Sequence, residues 1–288
     1  MFKKGEILLL ITALIWGTAF IFQSISADLI GPFLFNGSRF FLGGLVILPF
    51  MFKKDKNDKR KLIECGLLLG LIMFAGPNLQ QFAMADTSAG KAGFMTSLYI
   101  VLVPILAFVF LKKRIGKKVF VSLILAVIGL YLLCDASLDF KMSDISLILC
   151  AFFFALQILV VAHYVEFVDP LKMSCLQYLI AGSLSLLTAF IFEDFNLVNY
   201  TQAIPSIVYT GVLSTAVAYT LQTIGQKTVD ATIASIILSL ESVIAALTGF
   251  IFLHQSLSFN EILGSVIMFV AVILSQLPTK IKKGECNV

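Results

Sequence analysis

The sequence has little charge and almost no histidine. Only 13% of its 288 residues are Asp, Glu, Lys or Arg and two are His, whereas soluble domains carry about 25% charged residues. It contains no HExxH metal motif, no Gly-rich nucleotide loop and no Ser-His-Asp combination. These absences argue against an enzyme, and they give no reason to expect a cofactor or a bound metal.

Polar stretches long enough to form a separate soluble domain are also lacking. Hydrophobic residues make up 59% of the chain, and the mean hydropathy is +0.99. A bilayer core needs about 20 apolar residues per helix, whereas a barrel would show short alternating strands. We therefore predict an all-α integral membrane protein. Its ten transmembrane helices, called spans 1 to 10, are expected near 7–26, 33–52, 62–84, 88–111, 119–134, 144–163, 171–192, 204–225, 231–253 and 259–277.

Lys and Arg are distributed unevenly around these runs. Apart from Lys91, Lys141 and Arg39, every cation falls at a terminus or loop on one side of the predicted bundle. Cytoplasmic loops of membrane proteins carry such an excess. We predict a multi-pass protein of the plasma (inner) membrane with both termini in the cytoplasm. The net charge of +4 arises from these loops, so it indicates a lipid bilayer as the partner and no nucleic acid.

The chain resembles itself when it is shifted by about half its length. The matched pairs are Ala13 with Ala151, Arg39 with Gln177 and Gly44 with Gly182 at an offset of 138, then Gln80 with Gln222, Ala89 with Ala231 and Tyr99 with Glu241 at 142. Each half then holds five helices, and an odd number inverts the second copy. We predict inverted repeats at 1–140 and 141–288 in one membrane domain, an architecture typical of secondary transporters.

Four segments also carry a family resemblance. They are Ala13–Thr18 in span 1, Arg39–Gly44 in span 2, Ala89–Gly93 in span 4 and Glu241–Leu253 in span 9. In their order and spacing they resemble the ten-helix EamA-type branch of the drug/metabolite transporter superfamily, over essentially the whole chain. The resemblance implies a solute carrier, often an exporter of amino acids or related metabolites, with two five-helix halves around a central cavity.

Three ionisable residues inside predicted spans are functional candidates, because a charge there costs about 2.5 to 3.5 kcal/mol at the helix centre. Glu241 lies near the middle of span 9, where it would bind a coupling proton or a substrate ammonium, or else be a buried acid satisfied by neighbouring helices. Arg39 would hold a substrate carboxylate, close an external gate or reach the outer headgroups. Lys91, near the outer end of span 4, is a second gating candidate.

Uncharged polar and aromatic residues complete the predicted cavity. Glutamines from three helices of the second half are expected to converge, and small residues in spans 4 and 9 predict that these helices meet near the centre and bring Tyr99 close to Glu241. Interhelical hydrogen bonds are the alternative explanation for each polar residue. The substrate-binding candidates are Trp16, Arg39, Asn78, Gln81, Tyr99, Gln157, Gln177, Tyr219, Gln222 and Glu241.

An acid, an arginine and aromatic surface in one cavity favour a zwitterionic solute. We predict a secondary active transporter that moves a small organic metabolite, foremost an amino acid or related zwitterion, by alternating access and in the direction of export. Protons are the candidate coupling ion. Export of cationic or lipophilic drugs is the alternative within transport, and a membrane-embedded enzyme is the alternative from another class.

Overall fold

A computed structural model describes residues 3–52, 58–113, 115–133, 141–253 and 258–276, and none of these forms a β-strand. Spans 1 to 3 are Lys4–Ala27, Pro32–Ile47 and Lys59–Ala83, with a 3₁₀ turn at Leu48–Phe52. Spans 4 and 5 are Ala89–Thr96 with Tyr99–Leu111, and Lys117–Leu133. Spans 6 and 7 are Met142–Tyr164 and Pro170–Phe192. Span 8 joins Leu197–Val208, a π-helical stretch at Tyr209–Tyr219 and Thr220–Gln226. Spans 9 and 10 are Ala231–Leu238 with Leu240–Leu253, and Phe259–Gln276.

All ten predicted spans are present as helices, so the all-α fold is confirmed. Eight of them are long and apolar enough to cross a membrane. Span 5 has 17 residues and span 10 has 18, which extend roughly 25 Å at 1.5 Å per residue. The outside of the bundle is apolar: Leu14, Phe190 and Phe252 are 51%, 90% and 64% exposed. Because soluble proteins rarely expose such surfaces, these side chains indicate contact with lipid.

The two halves begin their helices in the same way. Lys3 and Glu6 form a capping box at the start of span 1, and Lys141 and Asp144 form one at the start of span 6, each 138 residues later. A proline opens both span 2 and span 7 at the same offset. Because span 1 begins at one end of the bundle and span 6 at the other, the second half is inverted. The end where span 1 begins is called the basic end, and the other the acidic end.

Spans 4 and 9 are broken at equivalent positions. Their first helices, Ala89–Thr96 and Ala231–Leu238, each have 8 residues and are followed by Ser97 and Ser239 as C-caps. Pro104 lies within the helix after the break in span 4. The break in span 4 therefore lies at the position that matches the break in span 9, and it precedes the proline.

Contacts between spans follow an approximate internal twofold axis. Span 2 packs against span 7, span 4 against span 9 and span 5 against span 10, while span 1 contacts span 9 as span 6 contacts span 4. A Cβ on Gly93 of span 4 would lie 3.1 Å from the Cβ of Ala245 in span 9. The prediction that spans 4 and 9 meet is confirmed.

Gly17 allows the close crossing of spans 1 and 9. A Cβ there would lie 2.4 Å from the Cβ of Ile244 and 2.8 Å from the backbone oxygen of Glu241. We expect Gly17→Ala to lower the free energy of unfolding by about 1–3 kcal/mol, because overpacking forces neighbours apart. Thermal melting of the purified protein measures this. Gly90→Ala is the matched control, since a Cβ at Gly90 meets no atom within 4 Å; equal melting temperatures for both variants would contradict the close crossing.

Candidate functional site

A small cavity lies at mid-height between the two halves. The space open to the centre of a water molecule is about 30 Å³. Its lining comes from spans 1, 2, 3, 4, 6, 8 and 9 and comprises Trp16, Ala19, Phe20, Gln23, Arg39, Gln80, Tyr99, Phe154, Gln157, Ile158, Ser214, Tyr219 and Glu241.

Arg39 lines the cavity with its guanidinium beside two phenyl rings. The residue is 2% exposed, and its Cζ atom lies 5.5 Å from the ring centroid of Phe35 and 4.7 Å from that of Phe40. Its Nε atom has no hydrogen-bond partner, and no described acid forms an ion pair with it. The interpretation that Arg39 reaches the headgroups is wrong, because its side chain turns inward. Aromatic faces stabilise the cation and leave its donors available to a ligand.

Glu241 lines the same cavity from just after the break in span 9. It is 4% exposed, and its Oε1 atom has no hydrogen-bond partner. Tyr99, its repeat equivalent, lies beside the carboxylate and is 1% exposed. No described cation pairs with Glu241. One oxygen of this buried carboxylate is therefore left without a hydrogen bond, which makes Glu241 a favourable position for a cationic group.

Aromatic rings form one wall of the cavity. The ring centroids of Trp16 and Tyr219 lie 4.5 Å apart. Tyr178 and Phe40, which are outside the lining, pack against Tyr219 with ring centroids at 6.2 and 6.4 Å. The indole Nε1 of Trp16 donates to the backbone oxygen of Ser214 at 3.3 Å. Ser214 and Tyr219 belong to the π-helical stretch of span 8, a type of irregularity found frequently at functional sites.

The predicted convergence of three glutamines is only partial. Gln157 lines the cavity. Gln222 is outside the lining and forms two amide hydrogen bonds with Gln157, at 3.2 and 2.8 Å. Gln222 also donates to Gln226 Oε1 at 2.9 Å. Gln177 is fully buried, neither of its amide atoms has a partner, and it is absent from the cavity lining.

Asn78 and Gln81 also lie outside the cavity lining. Asn78 accepts from Asn36 Nδ2 at 3.0 Å and donates to Ser185 Oγ at 2.9 Å, which ties spans 2, 3 and 7 together. Gln81 donates to the backbone oxygen of Gln23 at 2.9 Å. Interhelical hydrogen bonding, the alternative kept open for each polar residue, accounts for both contacts.

Two glutamines that line the cavity were not among the predicted candidates. Gln80 donates to Thr96 Oγ1 at 3.1 Å. Gln23 is 3% exposed, and its Oε1 atom has no partner. Gln23 follows Trp16 by seven residues in span 1, so helical spacing places both on one face. That spacing is the signal that would have found it.

Lys91 lies away from the cavity and forms an ion pair near the acidic end. Its Nζ atom is 2.7 Å from Oδ1 of Asp144, and the two side chains are 25% and 3% exposed. The pair joins span 4 to span 6. Oδ2 of Asp144 accepts from the backbone N–H of Lys141 at 2.9 Å, so one carboxylate both caps a helix and holds a neighbouring one.

Lys91→Met leaves Asp144 buried without its cation. We expect this variant to lower the free energy of unfolding by about 1–3 kcal/mol. The double variant Lys91→Met with Asp144→Asn should lower the free energy of unfolding by less than the sum of the two single variants. Denaturant unfolding of the four proteins measures the coupling. Strictly additive losses would show that the ion pair contributes nothing.

A larger recess lies at each end of the bundle. At the acidic end, 440 Å³ is lined by Asp28, Asp86 and Asp194. At the basic end, 520 Å³ is lined by residues that include Lys113 and Asp230, which lie 3.7 Å apart. Both recesses have a larger volume than the central cavity.

Comparisons with known proteins agree with this architecture. The model of the EamA-like transporter family matches residues 3–134 and again 141–277. The chain belongs to this family. It is 32% identical over 273 residues to an uncharacterized transporter of Archaeoglobus fulgidus, covering 93% of this chain and 84% of the relative. It is 23% identical to the uncharacterized transporter YoaV of Bacillus subtilis, covering 91% and 93%.

A solved crystal structure shares the fold. It aligns with a TM-score of 0.75 over 96% of this chain and 97% of the other, at 13% sequence identity. Together with the relatives, the family assignment identifies the chain as a multi-pass membrane transporter. The same observations point to a transporter rather than an enzyme.

Proposed function

We propose that this chain is a secondary active transporter that exports a small zwitterionic metabolite, an amino acid or a close relative, by alternating access. One observation carries the proposal: Arg39 and Glu241 are opposite buried charges, they line the same cavity, and neither forms an ion pair with a described residue. Burying each charge alone is costly. A solute with both a carboxylate and an ammonium group would neutralise both.

The arrangement assigns a part of the solute to each wall. Arg39 holds the carboxylate through its planar fork of donors, Glu241 holds the ammonium, and Trp16 with Tyr219 packs on the apolar remainder. In alternating access, the recesses at the two ends would connect to the central cavity in turn. The interrupted spans 4, 8 and 9 are the elements expected to move, because helix breaks line the sites of many transporters.

The location of the protein belongs to the same proposal. We place it in the plasma membrane with the basic end and both termini in the cytoplasm. The distribution of cations supports this orientation, since Lys59, Arg60 and Lys117 lie at the basic end.

Export of cationic drugs is the second candidate. It is favoured by the pairing of Trp16 and Tyr219 at 4.5 Å in the cavity that holds Glu241, because aromatic faces and an acid together bind organic cations. The two candidates differ in whether Arg39 contacts the solute.

Counterflow into proteoliposomes that contain only the purified protein tests the proposal. We expect labelled zwitterionic amino acids to accumulate against a preloaded unlabelled pool, with no accumulation in protein-free liposomes. Flux of tetraphenylphosphonium without amino acid flux would favour the drug exporter, and chemical conversion without accumulation would indicate an enzyme. An imposed pH gradient that drives amino acid flux would support protons as the coupling ion.

A further inference from the structure

Three oxygen atoms from three different spans lack hydrogen-bond partners around the central cavity. They are Oε1 of Gln23 in span 1, the hydroxyl of Tyr99 in span 4 and Oε1 of Glu241 in span 9. All three residues line the cavity and are at most 4% exposed. Because all three residues line one small cavity, a small group that enters it would lie beside all three.

We infer that these oxygens form a subsite for a primary ammonium group. An R–NH₃⁺ group carries three N–H donors, one for each oxygen, and its single positive charge matches the one carboxylate. A quaternary ammonium has no N–H donor and would leave the three buried oxygens unsatisfied, which is costly. This inference rests on the proposed function and specifies the nitrogen chemistry of its solute.

Gln23 is the residue that distinguishes this subsite from a simple acidic site. Its backbone oxygen accepts from Gln81 Nε2 at 2.9 Å and from Ser26 Oγ at 3.1 Å, which fixes this turn of span 1, while its side-chain oxygen stays unpartnered. Gln80, the other missed glutamine in the lining, donates to Thr96. Gln23 therefore acts as a specificity-determining acceptor beside Glu241.

Binding of the methylated ammonium series to the purified full-length protein in detergent micelles tests the inference. The sequence has one tryptophan, and it lines the cavity, so intrinsic tryptophan fluorescence reports on the site alone. We expect affinity to fall from methylammonium through dimethylammonium and trimethylammonium to tetramethylammonium, by about tenfold or more over the series.

The variant Gln23→Met removes one acceptor at similar volume. We expect it to weaken methylammonium binding roughly tenfold and to leave tetramethylammonium binding unchanged, while Gln23→Glu retains the preference for methylammonium. Gln177→Met is the matched control, since Gln177 is equally buried and without polar partners but lies outside the cavity lining. We expect no change in either affinity for this control.

Several results would overturn the subsite. Tetramethylammonium binding as tightly as methylammonium, or no member of the series binding, would show that the oxygens do not select N–H donors. An equal loss in Gln177→Met would assign the effect to packing. Should Gln23→Met fail to fold, the rank order on the unmodified protein decides alone.

The test separates the subsite from the proposed function. Methylammonium has no carboxylate, so its binding does not need Arg39. If amine affinity follows the number of N–H donors but no amino acid flux is seen, the proposed function is wrong and the subsite stands. Equal counterflow of glycine and its N-trimethyl derivative would remove the subsite and leave the function.

Discussion

Glu241→Gln should abolish amino acid flux in proteoliposomes while the protein still folds. The substitution keeps the shape and one carbonyl oxygen of a residue that is 4% exposed, but it removes the only acidic charge in the cavity lining. Losing a hydrogen-bonded charge partner costs about 2–3 kcal/mol, which is roughly 30-fold or more in solute affinity. Initial counterflow rates and tryptophan fluorescence titration measure the two effects.

Glu6→Gln is the control for this variant. Glu6 is also largely buried, at 8% exposed, but it caps span 1 at the basic end through the N–H of Lys3 at 2.7 Å. We expect the amino acid flux of Glu6→Gln to stay within about twofold of that of the unmodified protein, because this substitution weakens only the helix cap of span 1. Normal flux in Glu241→Gln would remove the proposed role of this acid. Exchange that persists but no longer responds to a pH gradient would assign Glu241 to coupling instead of binding.

Arg39→Gln should weaken recognition of the solute's carboxylate without affecting recognition of its ammonium group. This side chain lies beside Phe35 and Phe40 and is the cation expected to hold the carboxylate. We expect zwitterion affinity to fall about 30-fold and methylammonium affinity to stay the same. Thermal stability should not fall, because the variant removes a buried charge that has no ion-pair partner. Fluorescence titrations with an amino acid and with methylammonium, alongside melting curves, measure all three.

Two further variants sharpen this result. Arg39→Lys keeps the charge without the planar fork, so we expect it to restore only part of the zwitterion affinity. Arg60→Gln removes an exposed arginine that pairs with Glu64 at 2.8 Å, and it should change neither binding nor flux. Equal loss of zwitterion and amine affinity in Arg39→Gln would assign Arg39 to the structure of the cavity rather than to carboxylate recognition.

The spans and the repeat were predictable because each follows from a one-dimensional pattern. Apolar runs of membrane length have no conformation open to them but helix, and two offsets were enough to pair Tyr99 with Glu241 before any contact was known. The breaks in spans 4 and 9 were not foreseen. Serine is ordinary in a membrane helix, and Ser97 differs from other serines only through the chain that packs around it.

The site was predictable in part. Glu241 could be found from the sequence because an ionisable residue within an apolar span is costly to bury, and the structure places Glu241 in the cavity. Arg39 was ambiguous because helical rise gives the depth of a residue but not the direction of its side chain. Gln177 and Gln23 show the remaining difficulty: both are buried glutamines without side-chain oxygen partners, yet only Gln23 lines the cavity, and rotation of a helix about its axis decides which.

The two charges of the cavity come from different halves of the chain. Arg39 corresponds to Gln177 in the repeat, and Glu241 corresponds to Tyr99. Two copies of the first half would therefore supply two arginines and two tyrosines, and two copies of the second would supply two glutamates and two glutamines. Neither homodimer of half-chains reproduces one cation facing one anion. The site therefore needs one copy of each half, and the difference between the halves is what places a cation and an anion in one cavity.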